Sequence, residues 1–378
     1  MRESTLLREK EGETRRFGLD RIELKSFRNY EALSLGLDRG FNILAGPNAQ
    51  GKTNLLEAMA LLSTTRLLRG QKDGEAILDD QHTARVDGEL LDSHTTIAVQ
   101  LERGIRKKVF LNGLGLPRAS DLIGRLPCVC MTAEDMTLAR GEPSHRRLFM
   151  DLDLSALYPA YLNHLTLYKR ALEQRNALLR RAEHHEVGQE QYEPWEDQIA
   201  THGSILRRQR SQYISQLAPP AAENHALMGS GESLTVSYLL HDSLTDIEQL
   251  RTGLAQGRAA DLHRGGTGVG PHRDDLGLAI DGKDLRLFGS QGQQRTAVIA
   301  LKLAVLLTGR SELGAPPLLL LDDILSDLDE RRRALLVEAV LGNAGQAVLT
   351  CTEASAAGKL ILAQAKVFEV RKGTVIGH

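Results

Sequence analysis

Apolar residues near both ends of the chain alternate or form short continuous runs, which predicts a sheet-rich core built from two distant segments. The expected strands lie at residues 21–27, 33–37, 41–45, 318–321, 347–352, 366–370 and 374–376. Residues 83–116 alternate apolar and polar side chains, with Asn112-Gly113 as a hairpin signal, and predict an antiparallel layer beside the core. Residues 54–62 carry apolar side chains at i, i+3 and i+4, which predicts a helix.

The apolar period becomes helical from Asp151 onward and predicts a compact hairpin arm. Its two apolar faces consist of Tyr161, Leu165, Tyr168, Leu172 and Leu179 on one helix, and of Trp195, Ile199, His202, Leu206, Tyr213 and Leu217 on the next. Pro219-Pro220 is expected to stop the second helix. A strand at 234–240, a helix reaching Ala255 and a glycine-rich segment at 265–270 lead back to the core. No stretch sustains the heptads of a long coiled coil.

Residues 46–53 fit the phosphate-binding pattern G-x-x-x-x-G-K-[ST], and we call them the phosphate loop. They lie between a predicted strand and a predicted helix, where backbone N–H groups and the helix N-terminus favour phosphate. We expect Lys52 to contact the β- and γ-phosphates and Thr53 to bind Mg²⁺. The expected nucleotide contacts are Gly46, Pro47, Asn48, Ala49, Gln50, Gly51, Lys52 and Thr53. A glycine-rich turn that binds nothing is the alternative.

A second motif follows much later, where the apolar run 318–321 ends in Asp322 and Asp323. The unbroken run predicts a parallel strand buried on both faces, and Pro316-Pro317 precede it because proline cannot donate to a sheet. Two carboxylates at such an edge are costly to bury without a cation. We therefore expect Asp322 to bind Mg²⁺, directly or through water, and Asp323 to act as general base on the attacking water. An acidic strand cap is the alternative.

Residues 288–296, Phe-Gly-Ser-Gln-Gly-Gln-Gln-Arg-Thr, precede an apolar helix at 297–307, and we call them the signature loop. A hydroxyl and free N–H groups at a helix N-terminus form a further anion site. The loop resembles the signature of ABC-type ATPases, which contacts the γ-phosphate held by the opposite subunit, and a polar linker is the alternative. The resemblance implies a head-to-tail dimer with two ATP molecules, and residues 326–329 resemble the loop that faces the partner. Ser290, Gln291, Gly292 and Gln293 would act in trans, with Lys52, Asp323, Ser290 and Gln293 as the catalytic set.

Composition limits the class of protein. The hydrophobic content is 42%, and no run approaches 18 apolar residues, so we expect no membrane span. The first sixteen residues carry nine charged side chains and no apolar signal core, which predicts a flexible tail on a cytoplasmic protein. Cys128, Cys130 and Cys351 are expected to be buried thiols, not a disulfide or zinc framework. A net charge of −2 means that any DNA contact needs a local basic patch.

Six segments together resemble those of one family. They are Lys25-Ser-Phe-Arg-Asn-Tyr30, Gly46-Pro-Asn-Ala-Gln-Gly-Lys-Thr-Asn54, Ala133-Glu-Asp-Met136, Gly141-Glu-Pro-Ser-His-Arg-Arg147, Tyr168-Lys-Arg-Ala-Leu-Glu-Gln-Arg-Asn176 and Gly270-Pro-His-Arg-Asp-Asp-Leu276. The chain is similar to the RecF family of bacterial recombinational-repair ATPases over nearly its full length after the tail. The resemblance implies an α/β fold: an ABC-type P-loop ATPase head related to SMC proteins, with an inserted, mainly helical arm domain.

The same resemblance implies ATP-dependent dimerisation on gapped or junction DNA, help in loading RecA together with RecO and RecR, and slow, DNA-dependent ATP hydrolysis. The corresponding division is a tail (1–16), a discontinuous head (17–140 and 268–378) and an arm (141–267). Asp323 stands where transporter ATPases use Glu, which is consistent with slow turnover. Thr352 stands near the position of their switch histidine, and Ala133-Glu134-Asp135 replaces Pro-Glu-Asp, which leaves a linker contact to Mg²⁺ open.

Basic residues outside these motifs are weaker candidates. Arg28 and Asn29 are predicted to contact phosphate or adenine, with a solvated edge pair as the alternative, and Arg66 and Arg69 are candidates for a place near the nucleotide. A basic stripe in the arm would bind DNA phosphates, with a solvated face as the alternative. The stripe consists of Lys169, Arg170, Arg175, Arg180, Arg181, Arg207, Arg208 and Arg210. Residues 272–275, His-Arg-Asp-Asp, are expected to form an ion-paired turn and not a metal site.

Four other functions compete with a DNA-repair ATPase. A transporter ATPase subunit would have its signature much nearer the phosphate loop and would carry a switch histidine. A binding or structural module with a vestigial site is disfavoured because Lys52, both carboxylates and Ser290 are all present. A structural SMC-like head without a preference for DNA gaps is a further alternative. A coiled-coil chromosome organiser would need longer heptad repeats.

Overall fold

The computed structural model describes residues 16–68, 72–182, 187–229, 231–326 and 328–377. The strands are β1 (Leu19–Phe27), β2 (Tyr30–Gly36), β3 (Phe41–Ala45), β4 (Thr83–Leu90), β5 (Thr96–Glu102), β6 (Ile105–Leu111), β7 (Leu114–Gly115), β8 (Cys128–Met131), β9 (Leu234–Leu239), β10 (Asp275–Ile280), β11 (Lys283–Asp284), β12 (Leu318–Asp322), β13 (Ala347–Cys351), β14 (Ala365–Arg371) and β15 (Thr374–Gly377). The helices are α1 (Lys52–Thr64), α2 (Thr137–Arg140), α3 (Pro143–Leu157), α4 (Pro159–Arg181), α5 (Glu193–Met228), α6 (Ile247–Arg264), α7 (Leu285–Phe288), α8 (Gln291–Leu313), α9 (Glu330–Asn343) and α10 (Lys359–Leu362).

A mostly parallel sheet joins the two ends of the chain. Its order is β15-β14-β3-β13-β12-β8, and every neighbouring pair except β14–β15 is parallel. Strand β3 leads into the phosphate loop, and β12 ends in the carboxylates. Only β13 lies between them in the sheet. Residues 318–321 are buried, as expected of a strand with both faces covered. The sheet therefore brings the carboxyl ends of β3 and β12 to the same edge.

A second, antiparallel sheet covers one face of the first, with α1 between them. Its order is β2-β1-β4-β5-β6-β7, so the predicted antiparallel layer is confirmed and also includes the first two strands. Leu55, Leu56 and Leu62 of α1 are fully buried in a core shared by both sheets. Asn112 and Gly113 have φ of 50° and 77°, the left-handed geometry that a tight β-hairpin turn requires.

The helical segment packs against the other face of the parallel sheet. One continuous core includes Leu319 and Leu321 of β12, Leu301 of α8, and Leu206 and Tyr213 of α5. Helices α4 and α5 contact each other, as the predicted hairpin requires, and α5 also lies along α8. The arm thus has its apolar face on the ATPase core.

Two predicted helix ends were wrong. Helix α5 continues through Pro219 and Pro220 to Met228, although each internal proline removes a backbone hydrogen bond and costs about 3 kcal/mol. Burial of Leu217 and Ala221 on both sides of the prolines favours continuation. Helix α6 runs beyond Ala255 and ends where Gly265 adopts φ 67°. The helical region also begins earlier than Asp151, with α3.

The predicted flexible tail lies, apart from Arg16, outside the described residues. The three cysteines are free; Cys351 is buried, and Cys128 and Cys130 are half-buried. Within the residues that the structure describes, no helix has the length and apolar character that crossing a membrane requires.

Candidate nucleotide-binding site

Two neighbouring turns hold the phosphate loop in place. Gly46 and Gly51 have φ of 154° and 116°, a region that side chains disfavour. A Cβ at Gly51 would come within 2.7 Å of Asn29 Nδ2. The Tyr30 hydroxyl donates to Gly51 O at 3.0 Å, and Gly373 N donates to Gln50 O at 3.0 Å. The β1–β2 and β14–β15 turns therefore fix a loop whose N–H groups form a cradle for an anion.

Lys52 lies inside this cradle. Its Nζ donates to Gly46 O at 2.5 Å and to Pro47 O at 2.8 Å. Burial lowers the pKa of Lys52, while the negative charges of nearby Asp323 and Asp322 act in the opposite direction. The ammonium group thus lies among the loop carbonyls, next to the position that the motif assigns to the terminal phosphates.

The phosphate loop and the carboxylates meet at one oxygen atom. Thr53 Oγ1 donates to Asp322 Oδ1 at 2.9 Å, although the residues are 269 positions apart. Thr350 Oγ1 donates to the same oxygen at 2.8 Å and accepts from Asp323 N at 2.9 Å. A hydroxyl and a carboxylate that converge in this way are the hard oxygen ligands that Mg²⁺ prefers. The residues fit the predicted metal site.

Sequence reasoning missed Thr350, and its candidate for the switch-histidine position, Thr352, stays a prediction. Thr352 is exposed beyond the end of β13, whereas Thr350 pairs in register with Asp322 on β12. The available signal was the parallel register of β12 and β13. In that register, Thr350, the next-to-last residue of β13, lies beside Asp322. In the described part of the chain, no group of three or more His, Cys, Asp or Glu side chains could hold a metal ion.

Asp323 is held in an unusual conformation. Its φ of 53° is uncommon for a residue with a side chain. Ser326 Oγ donates to Asp323 Oδ1 at 2.8 Å and to Asp323 O at 2.8 Å. Residues held in such conformations cluster at functional sites. Its assignment as general base stays a prediction, and Asp327 of the same loop lies outside the described residues.

Arg28 bonds to helix α1, and Asn29 bonds to the phosphate loop. Arg28 Nε pairs with Glu57 Oε2 at 2.8 Å, and Glu57 is 2% exposed, so the alternative of a solvated pair is wrong for Arg28. Asn29 Nδ2 donates to Gln50 O at 3.0 Å, and Asn29 Oδ1 accepts from Asn54 Nδ2 at 2.8 Å. A contact with nucleotide remains a prediction for both residues. Arg66 is exposed after α1, and Arg69 lies outside the described residues.

The signature loop forms the N-terminus of α8. Ser290 caps the helix by accepting from Gln293 N at 3.2 Å, and Gln293 Oε1 accepts from Ser290 N at 2.8 Å. Gln293 Nε2 donates to Glu232 Oε1 at 2.8 Å, so both ends of its amide are bonded within the chain. Ser290, Gln291 and Gly292 are exposed. The N-terminus of α8, with the Ser290 hydroxyl, therefore faces solvent.

The structure corrects three members of the basic stripe. Arg175, Arg207 and Arg210 are 0%, 2% and 3% exposed, and each pairs with a carboxylate, because an unpaired buried charge is costly. The pairs are Arg175 with Asp261 at 2.7 Å and Glu196 at 3.1 Å, Arg207 with Asp242 at 2.6 Å and Asp274 at 2.8 Å, and Arg210 with Asp151 at 2.7 Å. These three side chains stabilise the fold and are not available to DNA.

The other five members of the stripe are exposed, namely Lys169, Arg170, Arg180, Arg181 and Arg208.

Residues 272–275 form the expected ion-paired turn, since Asp274 pairs with Arg207 and Asp275 with Arg146 at 2.6 Å. Half-buried His272 accepts at Nδ1 from the Tyr168 hydroxyl at 2.6 Å and donates from Nε2 to Thr267 O at 2.9 Å. Burial lowers the pKa of His272 to about 4, which keeps the ring neutral.

Comparison with known proteins agrees with this geometry. The family model described as the RecF/RecN/SMC N terminal domain matches residues 18–375. A DNA replication and repair protein RecF from Symbiobacterium thermophilum is 38% identical over 373 residues, covering 95% of this chain and 98% of that protein. The chain belongs to the RecF family. The RecF of Thermosynechococcus vestitus is 37% identical over 366 residues, covering 94% of this chain and 96% of that protein.

The fold of nearly the whole chain matches that of a solved RecF structure. The recombination mediator protein RecF with ATP, in the RecFOR pathway, has a TM-score of 0.88 and 29% identity, covering 98% of this chain and 100% of that chain. The Smc head domain of Pyrococcus furiosus has a TM-score of 0.53 at 15% identity, covering 95% of this chain and 96% of that one, and shows the fold alone. The predicted ABC-type head with a helical insertion is confirmed, and membership of the RecF family makes the transporter alternative wrong.

Proposed function

We propose that this RecF-family chain is a cytoplasmic, ATP-dependent DNA-binding protein of recombinational repair and replication restart. The observation that carries the ATPase part is the bond of 2.9 Å between Thr53 Oγ1 and Asp322 Oδ1, which joins the phosphate loop to the carboxylates. The names of its relatives, DNA replication and repair protein RecF, support the biological role. The proposal keeps the division into a head (17–140 and 268–378) and an arm (141–267).

The proposed reaction transfers the terminal phosphoryl group of ATP to water. The backbone N–H groups of the phosphate loop and Lys52 bind the triphosphate, and Thr53 and Asp322 would hold Mg²⁺, whose charge neutralises the developing negative charge when bound. Asp323 takes the proton of the attacking water. Asp323 has a shorter side chain than glutamate, which gives the carboxylate less reach toward water and fits a weak, DNA-dependent ATPase.

Two copies of the chain complete the site head to tail. Ser290 sits at an exposed helix N-terminus, the geometry that binds a phosphate brought by another molecule. Leu287 and Phe288, immediately before it, are 73% and 70% exposed. Apolar side chains at this level of exposure beside a functional loop support a protein interface there. ATP held by one copy would then contact Ser290 of the other and close the dimer.

DNA binding is assigned to the exposed part of the basic stripe. Arg180 and Arg181 stand in the last turn of α4, and Arg208 stands on α5. Phosphate contacts from such side chains supply affinity that falls with salt. The proposed DNA is a gap or a single-strand/double-strand junction, and the proposed partners are RecO and RecR in the loading of RecA, supported by the RecFOR pathway named for the solved relative.

The test combines nucleotide, DNA and oligomeric state. ATP hydrolysis is measured with gapped, single-stranded and duplex DNA, and gapped DNA is expected to stimulate it most. Lys52→Met is expected to abolish ATP-dependent dimerisation in analytical ultracentrifugation. An unchanged dimer in that variant, or equal hydrolysis with all three DNAs, would contradict the proposal.

The DNA surface has its own test. Arg180→Glu/Arg181→Glu is expected to weaken DNA binding and to flatten the dependence of affinity on salt. Arg106→Glu changes an exposed arginine on β6, in the antiparallel sheet, and serves as the control. Equal affinities and salt slopes for the native chain and the double variant would refute the assignment of the arm surface.

A further inference from the structure

The segment that joins α5 to β9 reaches the signature loop through one side chain, Glu232. Gln293 Nε2 donates to Glu232 Oε1 at 2.8 Å, across 61 positions of sequence. At the other end of the same amide, Gln293 Oε1 accepts from Ser290 N at 2.8 Å. A continuous hydrogen-bonded path therefore runs from Glu232 through Gln293 to Ser290.

The chemistry of the three groups gives this path a direction. An ionised carboxylate only accepts hydrogen bonds, and a backbone N–H only donates. One orientation of the Gln293 amide satisfies both, with its oxygen toward Ser290 N and its nitrogen toward Glu232. If the amide turned over, a donor would face Ser290 N. The Glu232 carboxylate therefore selects the orientation that holds the cap of α8 in place.

The core holds the chain on both sides of Glu232. Ser233 N donates to Asp281 Oδ1 at 2.8 Å, in the turn between β10 and β11. Arg332 Nε, in the first turn of α9, donates to Met228 O at the end of α5 at 3.4 Å. Helix α5 has 36 residues, a length of about 54 Å. A shift of α5 along its axis would thus move Glu232 relative to Gln293.

We infer that Glu232 is a positioning residue for the signature loop, through which α5 couples the helical segment to ATP held by a second copy of the chain. The inference rests on the proposed function, because the dimer is what places Ser290 against a nucleotide. Glu232 acts through Gln293 and not on the nucleotide. DNA bound at Arg208, near the middle of α5, would in this way hold or release Ser290, which Glu232 reaches just beyond the C-terminal end of α5.

Glu232→Ala is the first test. It is expected to leave the affinity of the single chain for ATP unchanged, measured with a fluorescent ATP analogue at protein concentrations below dimerisation. At saturating ATP, turnover is expected to fall roughly 10- to 100-fold, the equivalent of one lost charge-assisted hydrogen bond. Glu223→Ala changes an exposed glutamate of α5 and is the matched control, expected to behave as the native chain.

An exchange of the two side chains separates positioning from damage to the fold. Gln293→Glu alone places two carboxylates together and is expected to lower turnover as Glu232→Ala does. In Glu232→Gln/Gln293→Glu, the new amide at position 232 donates to the new carboxylate at position 293, whose oxygen still accepts from Ser290 N. Turnover and ATP-dependent dimerisation are expected to return to within about threefold of the native values, because the coupled pair is restored.

Two results would overturn the inference. One is native turnover and dimerisation in Glu232→Ala, and the other is a double variant no more active than Gln293→Glu. If the native chain itself neither dimerises with ATP nor hydrolyses it, the proposed function fails instead. A native chain that does both, beside a Glu232→Ala chain that also does both, removes this inference alone.

Discussion

Replacing Leu287 by serine measures how much of the proposed dimer depends on the apolar residues beside the signature loop. Leu287 is 73% exposed and Phe288 is 70% exposed. Asp284 Oδ1 accepts from Arg286 N at 2.8 Å and from Leu287 N at 3.0 Å, which caps α7. Leu285 of the same turn is fully buried. The exposed side chains are therefore held outward by a fixed turn.

The expected magnitude follows from this exposure. Full burial of a leucine side chain contributes about 1.5–3 kcal/mol. Since 73% of Leu287 is exposed in the single chain, burial in a partner would contribute about 1–2 kcal/mol for each copy. A two-fold dimer contains the residue twice, so Leu287→Ser is expected to raise the dimer dissociation constant by roughly 30- to 700-fold.

Leu114 offers a matched control. It is 74% exposed at the β6–β7 turn, far along the chain from the signature loop. Sedimentation at several protein concentrations with saturating ATP gives the dissociation constants of native, Leu287→Ser and Leu114→Ser chains. The serine at 287 is expected to weaken the dimer and the serine at 114 to leave it unchanged. Equal dissociation constants for the two variants would refute the reasoning.

Buried ionisable groups give three further predictions. Arg175→Ala is expected to lower the free energy of unfolding by about 3 kcal/mol, because it removes one of two cations from each of the buried carboxylates Asp261 and Glu196, which keep Arg264 and Arg258. Exposed Arg180→Ala is expected to change it by less than about 0.5 kcal/mol, and equal losses in urea unfolding would contradict this. Because burial lowers the pKa of His272 from 6.5 to about 4, its stabilising effect is complete above pH 6.5 and is lost as the pH falls toward 4. His272→Gln is expected to remove the rise of the unfolding free energy between pH 4 and 6.5 that His272 causes. An unchanged slope of unfolding free energy against pH in that range would argue against this role of His272. Burial raises the pKa of Asp153 from 3.8 to about 6, so ionisation of its carboxylate lowers stability as the pH rises through that window. Asp153→Asn is therefore expected to add about 1–3 kcal/mol to the free energy of unfolding at pH 7 and nothing at pH 3.5. Equal gains at both pH values would be the contrary result.

The sequence was sufficient to predict the strand and helix around the phosphate loop and the strand that ends in the carboxylates. The phosphate loop needs one strand before it and one helix after it, and residues 41–45 and 54–62 show both periods directly. The continuous apolar run before Asp322 predicts a fully buried parallel strand. A parallel sheet aligns the carboxyl ends of its strands, so contact between Thr53 and Asp322 is the geometric consequence.

The burial of three arginines in the arm could not be predicted from the local sequence. A basic residue in a helix has the same sequence signal whether it faces solvent or a carboxylate from a distant segment. Arg175 finds Asp261 86 positions later and Arg207 finds Asp274 67 positions later, and a periodicity within one helix does not reveal such partners. Pro219-Pro220 failed as a stop signal for a related reason, since packing of α5 on α8 outweighs a local preference.

The strand order of the parallel sheet has a consequence for how the chain is made. The two hydrogen-bonded neighbours of β3 are β13 and β14, and both come from the last part of the sequence. At about 5–20 residues per second, a ribosome needs roughly 15 to 60 s to proceed from β3 to β13. Throughout that interval the nascent chain carries an apolar strand with both edges unpaired and a phosphate loop without its carboxylate. Folding of the ATPase core must therefore wait until synthesis is almost complete.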